Sequence, residues 1–295
     1  MLSARKKSGR KRFLIVLSLV AGLAALVLNL LIGGALVAPS QRPVKLPANA
    51  GFPAENVEFP SASGATIKGW LVPAKNSRGA VVFMHGVHAD RATMLNRVGF
   101  LHDAGFSLLL FDFQAHGESL GRHITFGYLE SRDATAAVGF VRQRFPGQKV
   151  AAIGVSMGGA AELLAQPPLP VQAMIVESAY PTIEQAIEDR LIVRFGPAGK
   201  YVAPLLTWQM KLRLGIGLDD LRPIQAAASV TVPKFFMAGD ADRDTTVQES
   251  RDLFAAAVEP KQLWIVPGAG HEDLHLFAPV PYEKQVLEFL ARYMD

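Results

Sequence analysis

The sequence predicts an α/β protein with a mostly parallel, doubly wound sheet and a helical cap insertion, preceded by one N-terminal transmembrane helix. Three observations support this class. Short, continuous apolar runs alternate with segments of helical spacing from about residue 54 onward, as in a parallel sheet that helices cover on both faces. A long helix-prone stretch, residues 180–230, interrupts the alternation. Residues 13–37 form a 25-residue run without a charged side chain.

Composition excludes several classes of protein. Half of the 295 residues are hydrophobic, which excludes a disordered chain, and the lack of cysteine excludes disulfides, thiolate zinc sites and cysteine nucleophiles. Six of the 30 Lys and Arg residues lie within residues 1–12, and no acidic residue precedes Glu55. The remainder carries 24 basic against 26 acidic residues, so the body has no electrostatic footprint for nucleic acid.

The basic cluster and the apolar run together predict a signal anchor. A helix over residues 13–37 would span about 37 Å, against about 30 Å for the hydrocarbon core of a bilayer. The preceding basic residues place residues 1–12 in the cytoplasm and the body in the periplasm or outside the cell. A signal peptide cleaved near Gly33, which would release a secreted body, and a buried helix are the alternatives. Residues 38–53, with four prolines, are predicted to form an extended linker.

Residues 54–295 are predicted to form the main domain, with the cap insertion at about residues 180–230. Apolar runs predict its strands at residues 57–59, 65–72, 80–84, 107–111, 150–154, 171–176, 234–238 and 262–266. Apolar side chains three or four residues apart predict its helices at residues 91–103, 130–145, 157–165, 247–257 and 281–293. Most bulky apolar side chains of the cap are predicted to pack it onto the domain.

Two pentapeptides fit G-x-S-x-G, the pattern around a nucleophilic serine. They are Gly154-Val-Ser156-Met-Gly158 and Gly117-Glu-Ser119-Leu-Gly121. The chemistry requires a buried strand before the serine and a helix directly after it, so that the hydroxyl is lifted above the sheet. Ser156 has both neighbours, whereas a polar stretch without helical spacing follows Ser119. Ser156 is therefore the predicted nucleophile.

A serine hydroxyl requires a general base, and the base requires an orienting carboxylate. Of the two histidines after Ser156, His271 lies in a loop that directly follows a strand, where such sheets bind ligands. His275 is predicted to be a surface or packing residue. The acid is expected between the serine and the histidine, where Asp240, Asp242 and Asp244 follow one strand. Position alone does not choose among these three.

In their order and spacing, these motifs resemble the α/β-hydrolase superfamily, and more narrowly the membrane-anchored or secreted bacterial serine hydrolases of the serine aminopeptidase and Bem46-like group. The resemblance covers about residues 55–295. It is carried by four segments: His85-Gly86, residues 112–119, residues 154–159, and residues 239–242 with 267–271. It implies Asp242 as the acid and an oxyanion hole formed by the backbone N–H groups of Met157 and Val87.

The resemblance implies a serine hydrolase of the carboxylesterase or lipase type, which cleaves an ester or related acyl bond through an acyl-enzyme. Ser156, Asp242 and His271 are its expected triad. A peptidase, a thioesterase and a non-catalytic binding protein are the alternatives. This chemistry requires no metal or organic cofactor, and an apolar cap near a membrane favours a small-molecule acyl substrate, with lipids among the candidates. The motif residues His85, Asp112, His116 and Glu118 are predicted to be loop scaffold.

Overall fold

A computed structural model describes the backbone of residues 2–295 and the side chains of residues 11–295. The strands are β1 (Ser40–Gln41), β2 (Glu55–Pro60), β3 (Thr66–Val72), β4 (Gly79–Met84), β5 (Phe106–Phe111), β6 (His116–Gly117), β7 (Val150–Val155), β8 (Ala173–Glu177), β9 (Lys234–Gly239) and β10 (Lys261–Val266). The α-helices are α1 (Leu2–Leu36), α2 (Val98–Asp103), α3 (Glu130–Arg144), α4 (Met157–Leu164), α5 (Ile183–Phe195), α6 (Gly199–Leu214), α7 (Pro223–Ala227), α8 (Val247–Ala256), α9 (Leu274–Phe277) and α10 (Pro279–Met294). Short 3-10 helices lie at Arg91–Arg97, Gly196–Ala198 and Leu218–Leu221.

Eight strands form one sheet in the order β10-β9-β8-β7-β4-β5-β3-β2. The pairs from β10 to β5 are parallel, and the pairs β5–β3 and β3–β2 at one end are antiparallel, so β3 alone runs against the other strands. Strand β4 lies between β5 and β7, and β7 to β10 follow in order on one side of it. The doubly wound, mostly parallel sheet predicted from the sequence is thus confirmed.

Helices cover both faces of the sheet. Successive side chains of a strand point to opposite faces, so Val82 of β4 joins the core under α3 while Phe83 joins the core under α10. Val138 of α3 and Phe289 of α10 are among the apolar side chains that fill these two layers. Every residue of β4 is buried, which explains why the strand is a continuous apolar run.

The cap lies between β8 and β9 and contains helices α5, α6 and α7. It packs on the domain through a small apolar cluster that contains Met210 of α6, Ala160 of α4, and Tyr180. Thr182 is the N-cap of the 13-residue helix α5, and its hydroxyl accepts the N–H of Gln185. The apolar cluster therefore holds the cap against the domain beside α4.

Helix α1 contains the apolar run of the N-terminal region. Its segment Lys11–Leu36 contains an 18-residue stretch with a mean hydropathy of 2.7 and is long and apolar enough to cross a membrane. By length and composition, a membrane anchor and a signal sequence both fit this helix. The segment that follows is extended, as predicted for a linker, but it is bound to the domain. Ser40 pairs with His116 in a short parallel ladder, and the Arg42 N–H donates to the carbonyl oxygen of Gly117.

Candidate active site

Ser156 lies on a sharp turn between β7 and α4. Its φ of 53° and ψ of −112° form a combination that side-chain-bearing residues rarely adopt, and such strain is concentrated at functional sites. Glycine makes the turn sterically possible, since a Cβ atom at Gly158 would lie 2.1 Å from the carbonyl oxygen of Met84. A Cβ atom at Gly154 would lie 2.6 Å from the Gly158 backbone. The two glycines of the pentapeptide therefore permit the close approach of strand and helix at the turn that carries Ser156.

The structure brings Ser156, His271 and Asp242 into one hydrogen-bonded chain. His271 Nε2 lies 3.2 Å from Ser156 Oγ, and His271 Nδ1 lies 2.8 Å from Asp242 Oδ2. The Asp242 side chain is buried, and its Oδ1 accepts the backbone N–H groups of Asp244 and Thr245, both at 2.9 Å. The carboxylate is therefore held from one side and presents its other oxygen to the imidazole. With the Nδ1 proton donated to Asp242, the Nε2 lone pair faces the serine hydroxyl.

The other two aspartates of the same loop have different contacts. Asp240 Oδ1 accepts the backbone N–H of Gly268 at 2.6 Å. Asp244 donates its N–H to Asp242, and its carbonyl oxygen accepts from Arg190 of the cap. Of the three aspartates, Asp242 is the one whose side chain is hydrogen-bonded to His271, whereas position in the sequence alone left the choice open.

Ser119 and His275, the second candidates for nucleophile and base, also have other roles. The Ser119 hydroxyl is buried, donates to the carbonyl oxygen of Asp112 and accepts the N–H of Lys68. His275 Nε2 lies 2.9 Å from Glu283 Oε1, and its ring stacks on Phe100. Both side chains hold loops and helices of the domain together.

The two predicted oxyanion donors, Met157 and Val87, lie on segments that adjoin the nucleophile. Met157 is the first residue of α4, where a helix presents free N–H groups and a favourable dipole to an anion. Gly86 passes close to Ser156, since a Cβ atom placed there would lie 3.6 Å from Ser156 Cβ. Val87 follows it directly in the chain and is half-buried.

The segment after α1 holds the loop that contains Val87. Ser40 Oγ and Arg42 Nη2 donate to the carbonyl oxygen of His88 at 3.3 and 3.2 Å. Arg42 Nε also pairs with Asp90 Oδ2 at 2.7 Å. His88 has a φ of 58°, so its backbone requires support from such neighbours. Sequence reasoning treated these residues only as a linker and missed this contribution.

His85, Asp112 and His116 of the neighbouring motif loops are buried and hydrogen-bonded, and Glu118 is half-buried and pairs with Arg91. Burial lowers the pKa of both His85 and His116 to about 4, so both are neutral at pH 7. His85 Nε2 accepts the N–H of Phe113, which leaves its Nδ1 proton for the carbonyl oxygen of Gly86. Asp112 receives the guanidinium of Arg91 in a buried ion pair. The contacts agree with the predicted scaffold role.

A second buried network joins the nucleophile turn to the His271 loop. Arg97 is fully buried and lies 2.7 Å from Glu177 on one side and 2.7 Å from Asp273 on the other. It also donates to the hydroxyl of Tyr282 at 2.9 Å. Although burial disfavours the charge of Asp273, Arg97 holds its pKa below the ordinary value. The Glu177 carbonyl oxygen accepts the Ser156 N–H at 2.7 Å, so Arg97 links the two halves of the site.

Sequence reasoning missed Arg97 because no local motif marks it. Its partners lie 80 and 176 residues further along the chain.

Within residues 11–295, no group of three or more His, Asp or Glu side chains is arranged to hold a metal ion.

Comparisons with known proteins define the class. A sequence model of the family described as serine aminopeptidase, S33, matches residues 75–220, a range that includes Ser156 and ends before Asp242 and His271. The esterase Pf2001 of Pyrococcus furiosus has a similar structure, with a TM-score of 0.72, 23% identity, and coverage of 88% of this chain and 100% of that one. The family match and the shared fold support the α/β-hydrolase superfamily, as the motifs predicted.

Two further relatives are similar along most of their length. The uncharacterized protein YqkD of Bacillus subtilis is 25% identical over 244 residues, which cover 80% of this chain and 79% of the relative. The polyketide transferase GrgF of Penicillium sp. is 23% identical over 288 residues, which cover 82% and 98%. A crystal structure of GrgF has a TM-score of 0.64 to this chain. The family match and the fold together support a hydrolase.

Proposed function

We propose that this protein is a serine hydrolase that cleaves an ester or related acyl bond through an acyl-enzyme. One observation carries the proposal: the hydrogen-bonded chain from Ser156 through His271 to Asp242 at the strained turn. Unrelated enzymes that use this arrangement of serine, histidine and aspartate perform acyl transfer. The esterase name of a structural neighbour and the transferase name of a relative are compatible with such chemistry.

In the proposed mechanism, Ser156 Oγ attacks the carbonyl carbon of the substrate while His271 Nε2 accepts its proton. Asp242 holds the imidazole in the required tautomer and stabilises the imidazolium that forms. The N–H groups of Met157 and Val87 bind the developing oxyanion; loss of one such donor typically raises the barrier by about 3–4 kcal/mol. His271 then protonates the leaving group, and water hydrolyses the acyl-enzyme by the same steps in reverse.

A peptidase is the second candidate, because the matching family model is described as a serine aminopeptidase. The same triad would then act on an amide bond. A substrate panel separates the two: 4-nitrophenyl esters of increasing acyl length, lipid esters among them, against aminoacyl 4-nitroanilides. We expect the highest kcat/KM among the esters, with the acyl length set by the cap.

Fluorophosphonate labelling tests the proposed nucleophile. We expect the wild type to be labelled and Ser156→Ala to be inert. Ser119→Ala is the matched control, since its serine lies in the second G-x-S-x-G sequence, and it should label like the wild type. Circular dichroism establishes that each variant is folded. Labelling of Ser156→Ala, or no labelling of the folded wild type, would contradict the proposal.

We further propose that residues 1–12 lie in the cytoplasm, that residues 13–37 cross the membrane, and that residues 54–295 form a periplasmic or extracellular hydrolase domain with its cap at about residues 180–230. The basic first residues and the span-length apolar helix support this arrangement. A secreted body after signal cleavage is the alternative. Carbonate extraction of membranes and the intact mass of the mature chain decide between them, because only an uncleaved anchor resists extraction and retains the mass of residues 1–37.

A further inference from the structure

Helix α6 of the cap exposes a row of large apolar side chains. Tyr201, Leu205, Trp208 and Leu212, here called the cap stripe, are 72%, 52%, 46% and 73% exposed. Their spacing of four, three and four residues places them on one face of the helix. Phe195, at the end of α5, is 57% exposed as well. A continuous apolar surface of this kind on a folded domain indicates an interaction site.

The same helix packs on α1 near its C-terminal end. Gln209 Nε2 donates to the side-chain oxygen of Asn29 at 2.6 Å, and Arg213 donates to the carbonyl oxygen of Leu30. The contact is close, since a Cβ atom at Gly33 would lie 2.5 Å from Gln209 Oε1. Arg213 Nε also donates to Gln209 Oε1 at 3.0 Å, so the two side chains meet α1 together. Helix α6 is therefore held against α1 at Asn29, Leu30 and Gly33.

The positions of its residues around the helix axis determine where each face of α6 points. At about 100° per residue, the cap stripe is centred about 90° from the side that carries Gln209 and Arg213 and meets α1. It is centred about 160° from the buried side that carries Ala203, Leu206 and Met210 and faces the domain. The cap stripe therefore faces away from the domain.

The domain lies beyond the C-terminal end of α1, because β1 begins at Ser40. The buried side of α6 faces the domain, so the cap stripe, on the opposite side, faces the part of α1 that precedes the contact. Counted from Phe13, the 20 residues that match a hydrocarbon core of about 30 Å end at Ile32. The contacts at Asn29 and Leu30 consequently hold α6 within about one turn of the edge of that core.

We propose that the cap stripe lies on the bilayer that α1 crosses, in the leaflet on the side of the domain. The proposal rests on the proposed anchoring by α1. Tyr201 and Trp208 are the side chains preferred at the boundary between lipid and water, where their rings are buried and their polar groups remain hydrated. Lys200 and Lys211 are exposed on the flank of the stripe, from which long basic side chains reach lipid headgroups.

Tryptophan fluorescence of the full-length protein in vesicles tests the proposal directly. The chain has three tryptophans, none of them in α1; Trp70 is buried and Trp264 lies in strand β10 of the sheet. In phosphatidylcholine and phosphatidylglycerol vesicles, lipids brominated along the acyl chain should quench the wild type. The Trp208→Phe variant should lose most of the tryptophan fluorescence that these lipids quench. Equal fractional quenching of both proteins would overturn the proposal.

A charged substitution in the stripe provides a second, matched test. Leu212→Asp should reduce the quenching of Trp208 by brominated lipid and increase its quenching by aqueous iodide. Leu276→Asp is the control, because Leu276 is 69% exposed on α9, outside the cap, and should leave both values unchanged. Thermal unfolding establishes that both variants fold. Identical behaviour of the two variants would refute the assignment of the stripe.

Two further readouts on the same vesicles separate this proposal from the proposed function. Carbonate resistance reports the anchoring by α1, and fluorophosphonate labelling reports Ser156. If the protein resists carbonate extraction and reacts with the fluorophosphonate, but brominated lipid does not quench Trp208, only the proposed membrane contact is overturned. Protein that carbonate extracts would overturn the anchor and the membrane contact together, and leave the hydrolase assignment in place.

Discussion

Asp242→Asn changes a single atom of the proposed triad, and the hydrogen bonds of Asp242 determine its effect. Oδ1 accepts two backbone N–H groups, from Asp244 and Thr245. An asparagine must place its amide oxygen at this position, since its NH₂ group would otherwise face two donors. The NH₂ group is then directed at His271 Nδ1, 2.8 Å from the present Oδ2. It donates to that nitrogen, so the imidazole proton moves to Nε2 and points at Ser156.

An imidazole in this tautomer cannot accept the serine proton. In a serine protease with the same arrangement, the corresponding change lowers kcat about 10⁴-fold with the geometry intact. At about 1.4 kcal/mol per tenfold change, the expected rise in the barrier is about 5.5 kcal/mol. We therefore expect Asp242→Asn to reduce kcat for a short 4-nitrophenyl ester by about 10⁴-fold and to affect KM much less, because Asp242 is not expected to touch the substrate.

Asp244→Asn is the matched control. It makes the same chemical change in the same loop, and the contacts of Asp244 with Asp242 and Arg190 are made by its backbone. Its kcat should remain near that of the wild type. If Asp242→Asn retained a kcat within about tenfold of the wild type while folded, the tautomer argument and the assignment of the acid would both be refuted.

Two further predictions concern stability. Arg97→Met leaves the buried Glu177 carboxylate without its cation, so we expect the free energy of unfolding to fall by about 3–5 kcal/mol in urea denaturation. Arg144→Met, which breaks an exposed pair, should change it by less than about 1 kcal/mol, and equal losses would contradict the argument. Burial and the neighbouring carboxyl of Asp189 in the cap raise the pKa of Glu249 from 4.5 to about 8. Because the folded protein binds this proton more tightly than the unfolded chain, the associated stability is present at acid pH and is lost as the pH rises from about 5 to 8. Glu249→Gln should flatten the fall in Tm across that window, and an unchanged slope would show that Glu249 does not titrate there.

The sheet and the catalytic candidates were predictable because their signals are local. Buried parallel strands are continuous apolar runs, and their C-terminal ends carry Ser156, Asp242 and His271 in short loops. Ser156 was distinguished from Ser119 by the strand and helix on either side of it. The choice of Asp242 over its neighbours required the resemblance to a family, and the structure then showed the hydrogen bond to His271 directly.

The supports of the site were not predictable because they join distant segments. Arg42 contacts the loop of His88, 46 residues further along the chain. Arg97 connects residues from three separate segments. Hydrogen bonds of this kind follow from the topology of the sheet and have no periodicity of their own in the sequence. A proline-rich segment and an isolated arginine therefore gave no signal of their roles.

Helix α6 shows a different reason why composition alone is insufficient. Its apolar residues predicted a packed cap, and Leu206 and Met210 are indeed buried. That explanation accounts for one face only, since Leu205 and Leu212 lie on the other and are more than half exposed. A helix that is apolar on opposite faces requires two apolar neighbours. The sequence suggests the first, which is the domain. The second becomes apparent only in the structure, which leaves the other face exposed, and we propose that the bilayer is that neighbour.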